Sequence, residues 1–236
     1  MKKILYTLLL VGSVINASEY YAKLEPSNTY NIKSSVSGKV IYVNKAQESK
    51  SVLSETIVKI DDKVNKIDLE QSKLKLKNLE EIVKLEKSTL KSFNRVSSKS
   101  RFDKDNQKIK ILNIQSSISD LKTKIPTLKD TISKKILTQK KSYIYNIAVE
   151  LGDYVNPGAL LYTAMNLSSG KLSIYIPINE ASTIQSKSIY LDGIKTDLKI
   201  SKLYDVTDTK HISSYKCEIE VPNPKQFSKL IKVEFK

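Results

Sequence analysis

The sequence predicts an α+β chain in which one long helical hairpin interrupts a β-rich body. Three observations carry this reading. Residues 18–62 and the stretch after Ile132 hold short alternating apolar runs bounded by turn residues. From Lys63 to Ile132 there is no glycine, and Pro126 is the only proline. Within that window the apolar residues fall three and four apart, the helical period.

The β-segment before the hairpin contains Ile32, Val36, Val40, Tyr42 and Val43, with Gly38 among them. Ile57-Val58-Lys59-Ile60 reads as a second short strand, and Asp61-Asp62 closes it. The polar residues 44–51 read as the turn between them.

In the first helical half, Leu69, Leu76, Val83 and Leu90 stand seven apart, with Leu79 and Phe93 between. Ser72 and Glu86 break the intermediate row. The second half is stricter: Ile111, Ile114, Ile118, Leu121, Ile125, Leu128 and Ile132 form a heptad seam. Ser- and charge-rich residues Asn94 to Asp105 separate the halves. Two antiparallel helices joined at a tip satisfy this pattern, each about 30 residues and about 45 Å long. At the tip, Ser98 reads either as the cap of the second helix, with Asp103 in the first turn, or as a contact residue.

After the hairpin, Tyr143 to Val149 alternates. A turn-rich stretch, Gly152-Asp153-Tyr154-Val155-Asn156-Pro157-Gly158, precedes Ala159-Leu160-Leu161-Tyr162. Val155 and Leu160 are expected to face a core. Strand, turn and strand thus occur on both sides of the hairpin. Neither half buries its apolar side alone; together they make one β-sandwich. Leu172–Ile176, Ser188–Leu191, Leu198–Leu203 and Tyr215–Val221 follow at the spacing of a small antiparallel barrel.

The chain has 40 Lys and Arg against 25 Asp and Glu, a formal charge of +15. The basic residues are dispersed, with pairs such as Lys134-Lys135 and Lys140-Lys141, and no nucleic-acid motif accompanies them. They read as solvated faces, so no nucleic-acid partner is expected. One cysteine, Cys217, precludes an internal disulfide and reads as a small buried hydrophobe. One His and two Met make no soft-ligand cluster, so no metal and no cofactor are expected. His211 reads as a lone surface residue. No phosphate loop or nucleophile elbow is present, which argues against an enzyme.

Met1-Lys2-Lys3, an apolar run from Ile4 to Ile15, and Ala17 form the three-part layout of a signal peptide over residues 1–17. The run is short for a membrane span. It is either cleaved or kept as an N-terminal anchor. Either way the mature chain is expected outside a bacterial inner membrane, in the periplasm.

The two β-segments and the insertion between them resemble the HlyD-like membrane fusion family, the periplasmic adaptors of tripartite efflux pumps and type I secretion. Val149-Glu150-Leu151-Gly152-Asp153-Tyr154-Val155-Asn156-Pro157-Gly158-Ala159-Leu160-Leu161 is similar to the family's second lipoyl half. The resemblance spans about residues 30 to 220. It implies an elongated α+β chain: a split lipoyl-like β-sandwich (30–62 and 133–169), an inserted antiparallel α-helical coiled-coil hairpin (63–132), and a small antiparallel β-barrel (18–29 and 170–236). No room is expected for the membrane-proximal domain of many members. The structural turns would use Gly38, Gly152, Asp153, Pro157 and Gly158. The hairpin occupies the turn that carries the modified lysine in true lipoyl domains, so no lipoyl or biotinyl group is implied.

The resemblance also implies partners: an inner-membrane transporter of RND or ABC type, a TolC-like outer-membrane channel, and further copies in a ring. Family members meet the channel through an Arg, a Leu four residues later and a Ser seven after that. Val96 to Asp103 resembles the region of that Ser, at Ser98. Lys87 then stands at the Arg position and Lys91 at the Leu position, with Leu90 one residue away. Lys99, Arg101 and Phe102 complete the expected docking tip.

Overall fold

The computed structural model describes residues 18–236, so the signal peptide read at 1–17 lies outside the described residues. In chain order come β1 (Ser18–Lys23), β2 (Glu25–Lys33), β3 (Gly38–Val43), a 3-10 turn (Lys45–Gln47) and β4 (Lys50–Ile60). The two long helices are α1 (Lys63–Arg95) and α2 (Arg101–Lys134). Then follow β5 (Ile136–Ile147), β6 (Tyr154–Val155), β7 (Leu160–Pro177), α3 (Ala181–Ile184), β8 (Ile189–Leu191), β9 (Ile194–Lys195), β10 (Ile200–Leu203), β11 (Ser214–Pro222) and β12 (Leu230–Phe235). The pairs β1–β12, β7–β11, β8–β12 and β4–β5 are all antiparallel. The chain divides into two compact units, one of residues 30–164 and one of the described residues up to 29 with 165–236.

In the first unit, strands from both sides of the hairpin share one core. Val40, Ile57, Val58 and Ile60 come from before it; Ile144, Ile147, Val155, Leu161 and Tyr162 come from after it. Leu161 is fully buried while Leu160 is 36 % exposed, so Leu161 and not Leu160 faces the core. A strand alternates faces at every residue, so a one-residue slip in reading exchanges them.

The halves are also stitched by backbone bonds. Gly152 donates to the Val40 carbonyl, and Val40 donates to the Asp153 carbonyl, at 2.9 and 2.7 Å. Gly158 donates to Ser34, and Ser34 to Ala159, both at 2.8 Å. Gly152 and Gly158 hold φ of +99° and +92°, values that cost a side-chain-bearing residue free energy. The Asp153 carboxylate closes the first turn by accepting from the Glu150 amide at 2.8 Å.

β4 corrects the reading of residues 44–51 as turn. It starts at Lys50 and pairs with β5 from Lys50↔Ile144 to Lys59↔Ile136. Its outer face is polar, apart from Leu53, so its first half lacks the apolar signal of Ile57–Ile60. This long ribbon brings together the two chain ends from which the hairpin springs.

The helices pack along the expected seam. Val83, Ile111 and Ile118 are buried, with Leu76, Leu79, Leu90 and Ile114 against them. Pro126 lies inside α2, which continues through it. It forfeits one helical hydrogen bond on an exposed face.

In the second unit, one sheet has the order β1-β12-β8-β9, and β11 pairs with β7 on one side and β10 on the other. They enclose Leu172, Ile174, Ile176, Ile219, Val233 and Phe235. Cys217 lies in this core, and burial pushes its thiol up to about 12. His211 is not alone, as the sequence suggested. Its ring stacks on Tyr175 at 3.4 Å between centroids, and its Nδ1 sits 3.0 Å from the Asp208 carboxylate. That hydrogen bond, with those from the 210 and 211 backbone amides, brings Asp208 down to about 2.

Candidate functional site: the hairpin and its tip

The tip turn spans residues 96–99, where the Lys99 amide reaches the Val96 carbonyl at 3.3 Å. Ser100, not Ser98, caps α2. Its hydroxyl accepts from the Asp103 amide at 3.1 Å, and the Asp103 carboxylate accepts from the Ser100 amide at 3.3 Å. A capping box needs an acceptor three residues after the cap. Ser98 has Arg101 there, whereas Ser100 has Asp103. Ser98 is therefore exposed in the turn and free of capping duty.

The remaining tip residues divide into two groups. Lys99, Arg101 and Phe102 stand at the turn with Ser98. Lys99 lies over the Phe93 ring at 4.6 Å, Arg101 approaches Asp105 at 3.7 Å, and Phe102 is 73 % exposed. Lys87, Leu90 and Lys91 lie lower on α1. Leu90 turns into the seam, while Lys87 and Lys91 face solvent. The sequence-predicted set is thus not one cluster.

Of the predicted turn residues, Gly38 has the tightest surroundings. A Cβ there would lie 2.6 Å from Ile60 Cγ2, at a φ of +157°. Pro157 precedes Gly158 in the second turn, where the Ala159 amide reaches the Asn156 carbonyl at 3.0 Å.

Two features escaped the sequence reading. The first is a polar layer in the seam. Gln107 Nε2 donates to the Glu86 carbonyl at 3.0 Å and to its carboxylate at 2.6 Å. Lys110 Nζ reaches the same carboxylate at 2.6 Å. Lys110 first, then Gln107, holds the Glu86 carboxyl below its ordinary range. Glu86 had stood out as a break in the heptad row; the break marks its partner. A group whose folded pKa is depressed contributes stability above its unfolded pKa, and that contribution fades as pH falls through the folded value. Acidification below the ordinary value of 4.5 should therefore loosen the hairpin. Helical circular dichroism, followed into the acid range, should fall more steeply for the native chain than for Glu86→Gln. Superimposable acid profiles would remove Glu86 from the account.

The second feature is at the hairpin base. Lys135 is buried, and its Nζ donates to the Asp61 carbonyl at 2.6 Å and to Asn65 Oδ1 at 2.7 Å. Its own carbonyl accepts from the Ile60 amide at 2.8 Å. One lysine thus ties the chain leaving α2 to the chain entering α1.

Among the described residues no group of three or more His, Cys, Asp or Glu side chains is placed to hold a metal ion, and no helix is long and apolar enough to cross a membrane. No protein-family model and no curated protein matches the chain. Solved structures do. The membrane fusion protein Spr0693 from Streptococcus pneumoniae R6 superposes with a TM-score of 0.73 at 8 % identity, covering 93 % of this chain and 98 % of that one. The chain has the membrane-fusion-protein fold. MacA from Actinobacillus actinomycetemcomitans superposes at 0.72 with 15 % identity, covering 93 % of this chain and 78 % of that one. A MacA–MexA chimera carrying the Pseudomonas aeruginosa MexA α-hairpin domain gives 0.71, with 15 % identity and coverages of 93 % and 80 %. At such identities the likeness establishes the fold, and it agrees with the resemblance that Val149 to Leu161 carries.

Proposed function

We propose that this chain is a periplasmic adaptor. It links an inner-membrane transporter, of RND or ABC type, to a TolC-like outer-membrane channel for efflux or secretion. It is exported by the segment at 1–17 and works beside the inner membrane as a non-catalytic ring of copies. The β-unit that shares its core across the hairpin is a split lipoyl-like module, kept as a rigid base without a cofactor.

The observation that carries this reading is the hairpin end. A capped helix start leaves Phe102 in water beside Arg101, at the far end of helices of 33 and 34 residues. Helices of that length span about 50 Å at 1.5 Å per residue. An exposed aromatic next to a cation is a ready protein contact.

The ring has separate support. Val64, Ile67, Leu74 and Leu85 are exposed along one side of α1, away from its seam. Ile109 and Leu112 are exposed on the outer side of α2. The Glu86–Lys110 contact puts Leu85 and Leu112 at nearly the same height. Copies related by rotation stand at equal heights, so unlike edges can meet in a head-to-tail ring.

A second reading is a coiled-coil scaffold of the envelope that has this fold without channel docking. Lys91 at the expected Leu position, with Leu90 turned into the seam, favours it. One experiment separates the two. With a photo-crosslinker at Ser98 in living cells, the adaptor should yield a crosslink to an outer-membrane channel. Self-crosslinks alone would leave the scaffold as the better account.

A further inference from the structure

The composition disperses lysines along the chain, but the hairpin gathers them on one of its sides. Two contacts mark its two broad sides. On one, Glu80 of α1 meets Lys122 of α2 at 3.4 Å. On the other, Glu86 meets Lys110.

The Glu80 side carries a groove of about 620 Å³ between the helices, with Val83, Gln115 and Ile118 in its lining. Lys84, Lys87 and Lys122 line it too. Lys77 and Lys91 lie seven residues to either side of Lys84, so they share its side of α1. On α2, Lys104 lies eighteen residues, or about five turns, before Lys122, and Lys129 lies seven after it. Two lysine rows therefore flank one groove. Lys77, Lys84, Lys91, Lys104 and Lys129 carry no ion pair among the described residues.

The Glu86 side is balanced. Asp68 lies eighteen residues before Glu86, and Asp103 lies seven before Lys110. These acids offset Lys75, Lys110 and Lys124 on the same side.

A seven-residue step is about 10 Å of helix, comparable to the Debye length of about 8 Å at physiological salt. Neighbouring charges in each row are thus largely screened from one another at physiological salt and couple at low salt, where the Debye length reaches about 30 Å. There the potential along the groove sums over the rows. Glu80, which also lines the groove, is matched by Lys122, and the unpaired lysines around that pair repel one another. A chain of anionic groups laid along the groove would relieve this repulsion by releasing counterions.

We infer that the lysine side of the hairpin is a track for an extended linear polyanion. The lysine ammonium is a compact point charge without a planar fork. The track therefore reads charge and length rather than one anionic group. This inference is independent of the adaptor reading, because it follows from the hairpin alone.

The test uses the full chain and long-chain inorganic polyphosphate as the probe, with affinity measured across a salt series. The native chain should bind, and log affinity should fall linearly with log salt. Lys84→Gln with Lys91→Gln should lower affinity about tenfold at low salt and flatten the salt slope by about two. Lys75→Gln with Lys124→Gln removes the same charge from the balanced side and should change affinity less than about twofold. A second pair on the lysine side, Lys77→Gln with Lys104→Gln, should repeat the loss, so the result does not hang on one variant's folding. Equal losses from both sides would reduce the effect to net charge and overturn the track. So would pyrophosphate binding as tightly as the polymer, or no binding by the native chain at low salt.

Discussion

Replacing Lys135 with Ala should destabilise the hairpin base by roughly 2–4 kcal/mol, from two hydrogen bonds to a charged donor and the packing of its stem. The bonds to the Asp61 carbonyl and Asn65 Oδ1 would go, and both acceptors would lose their partner. Lys135→Met separates the contributions. It keeps the stem and removes the ammonium, so it should recover part of the loss but not all. Urea melts with a far-ultraviolet helix signal would measure both. A Lys135→Ala variant that melts with the native chain would show that the clamp is ornamental.

Gly38→Val should be as damaging or more so, by about 3 kcal/mol, since forced overpacking of a core costs about 1–3 kcal/mol before backbone strain is added. The new Cβ would lie 2.6 Å from Ile60 Cγ2, and Ile60 is itself buried between the two halves of the β-unit. The φ of +157° adds a penalty for any L side chain. Gly38 pairs with Val155 across the halves, so the strain would fall where they join. Gly38→Ala should show the same effect at smaller size. Unchanged melting of the valine variant would contradict the contact.

The parts of this fold that were legible in the sequence are those with local periodicity. The Ile111 to Ile132 row repeats within one helix, and such a pattern survives whatever lies across from it. The β-strand errors have a common cause. Lys50, Ser51, Ser54 and Glu55 are exposed polar residues on both faces of the first half of β4, and nothing in their own composition says strand. Their pairing with β5 comes from residues more than eighty positions away. The exchange of Leu160 for Leu161 has the same origin, since the face a strand residue takes depends on its partner strand.

The candidate site was legible as a region but not in its geometry. Ser98, Lys99, Arg101 and Phe102 are at the turn, yet the cap moves to Ser100 because Asp103 stands three residues from it. Lys135 was invisible for a different reason. In the sequence it is one half of an ordinary basic pair with Lys134; only the fold distinguishes them. Lys134 is exposed and pairs with Asp130, while Lys135 is buried in the hairpin base.

The polar layer of Glu86 and Gln107 also limits how this hairpin can change length. Sliding one helix past the other by a heptad would set Glu86 against apolar seam residues, at the cost of an unpaired carboxylate. Lengthening is therefore compatible with the seam only as matched insertions, seven residues in each helix on the same side of the layer. Each such pair would extend the reach by about 10 Å. Homologous hairpins that keep the Glu–Gln pair should then differ in steps of fourteen residues, counted through the tip, and intermediate lengths should be found only where the pair has been lost.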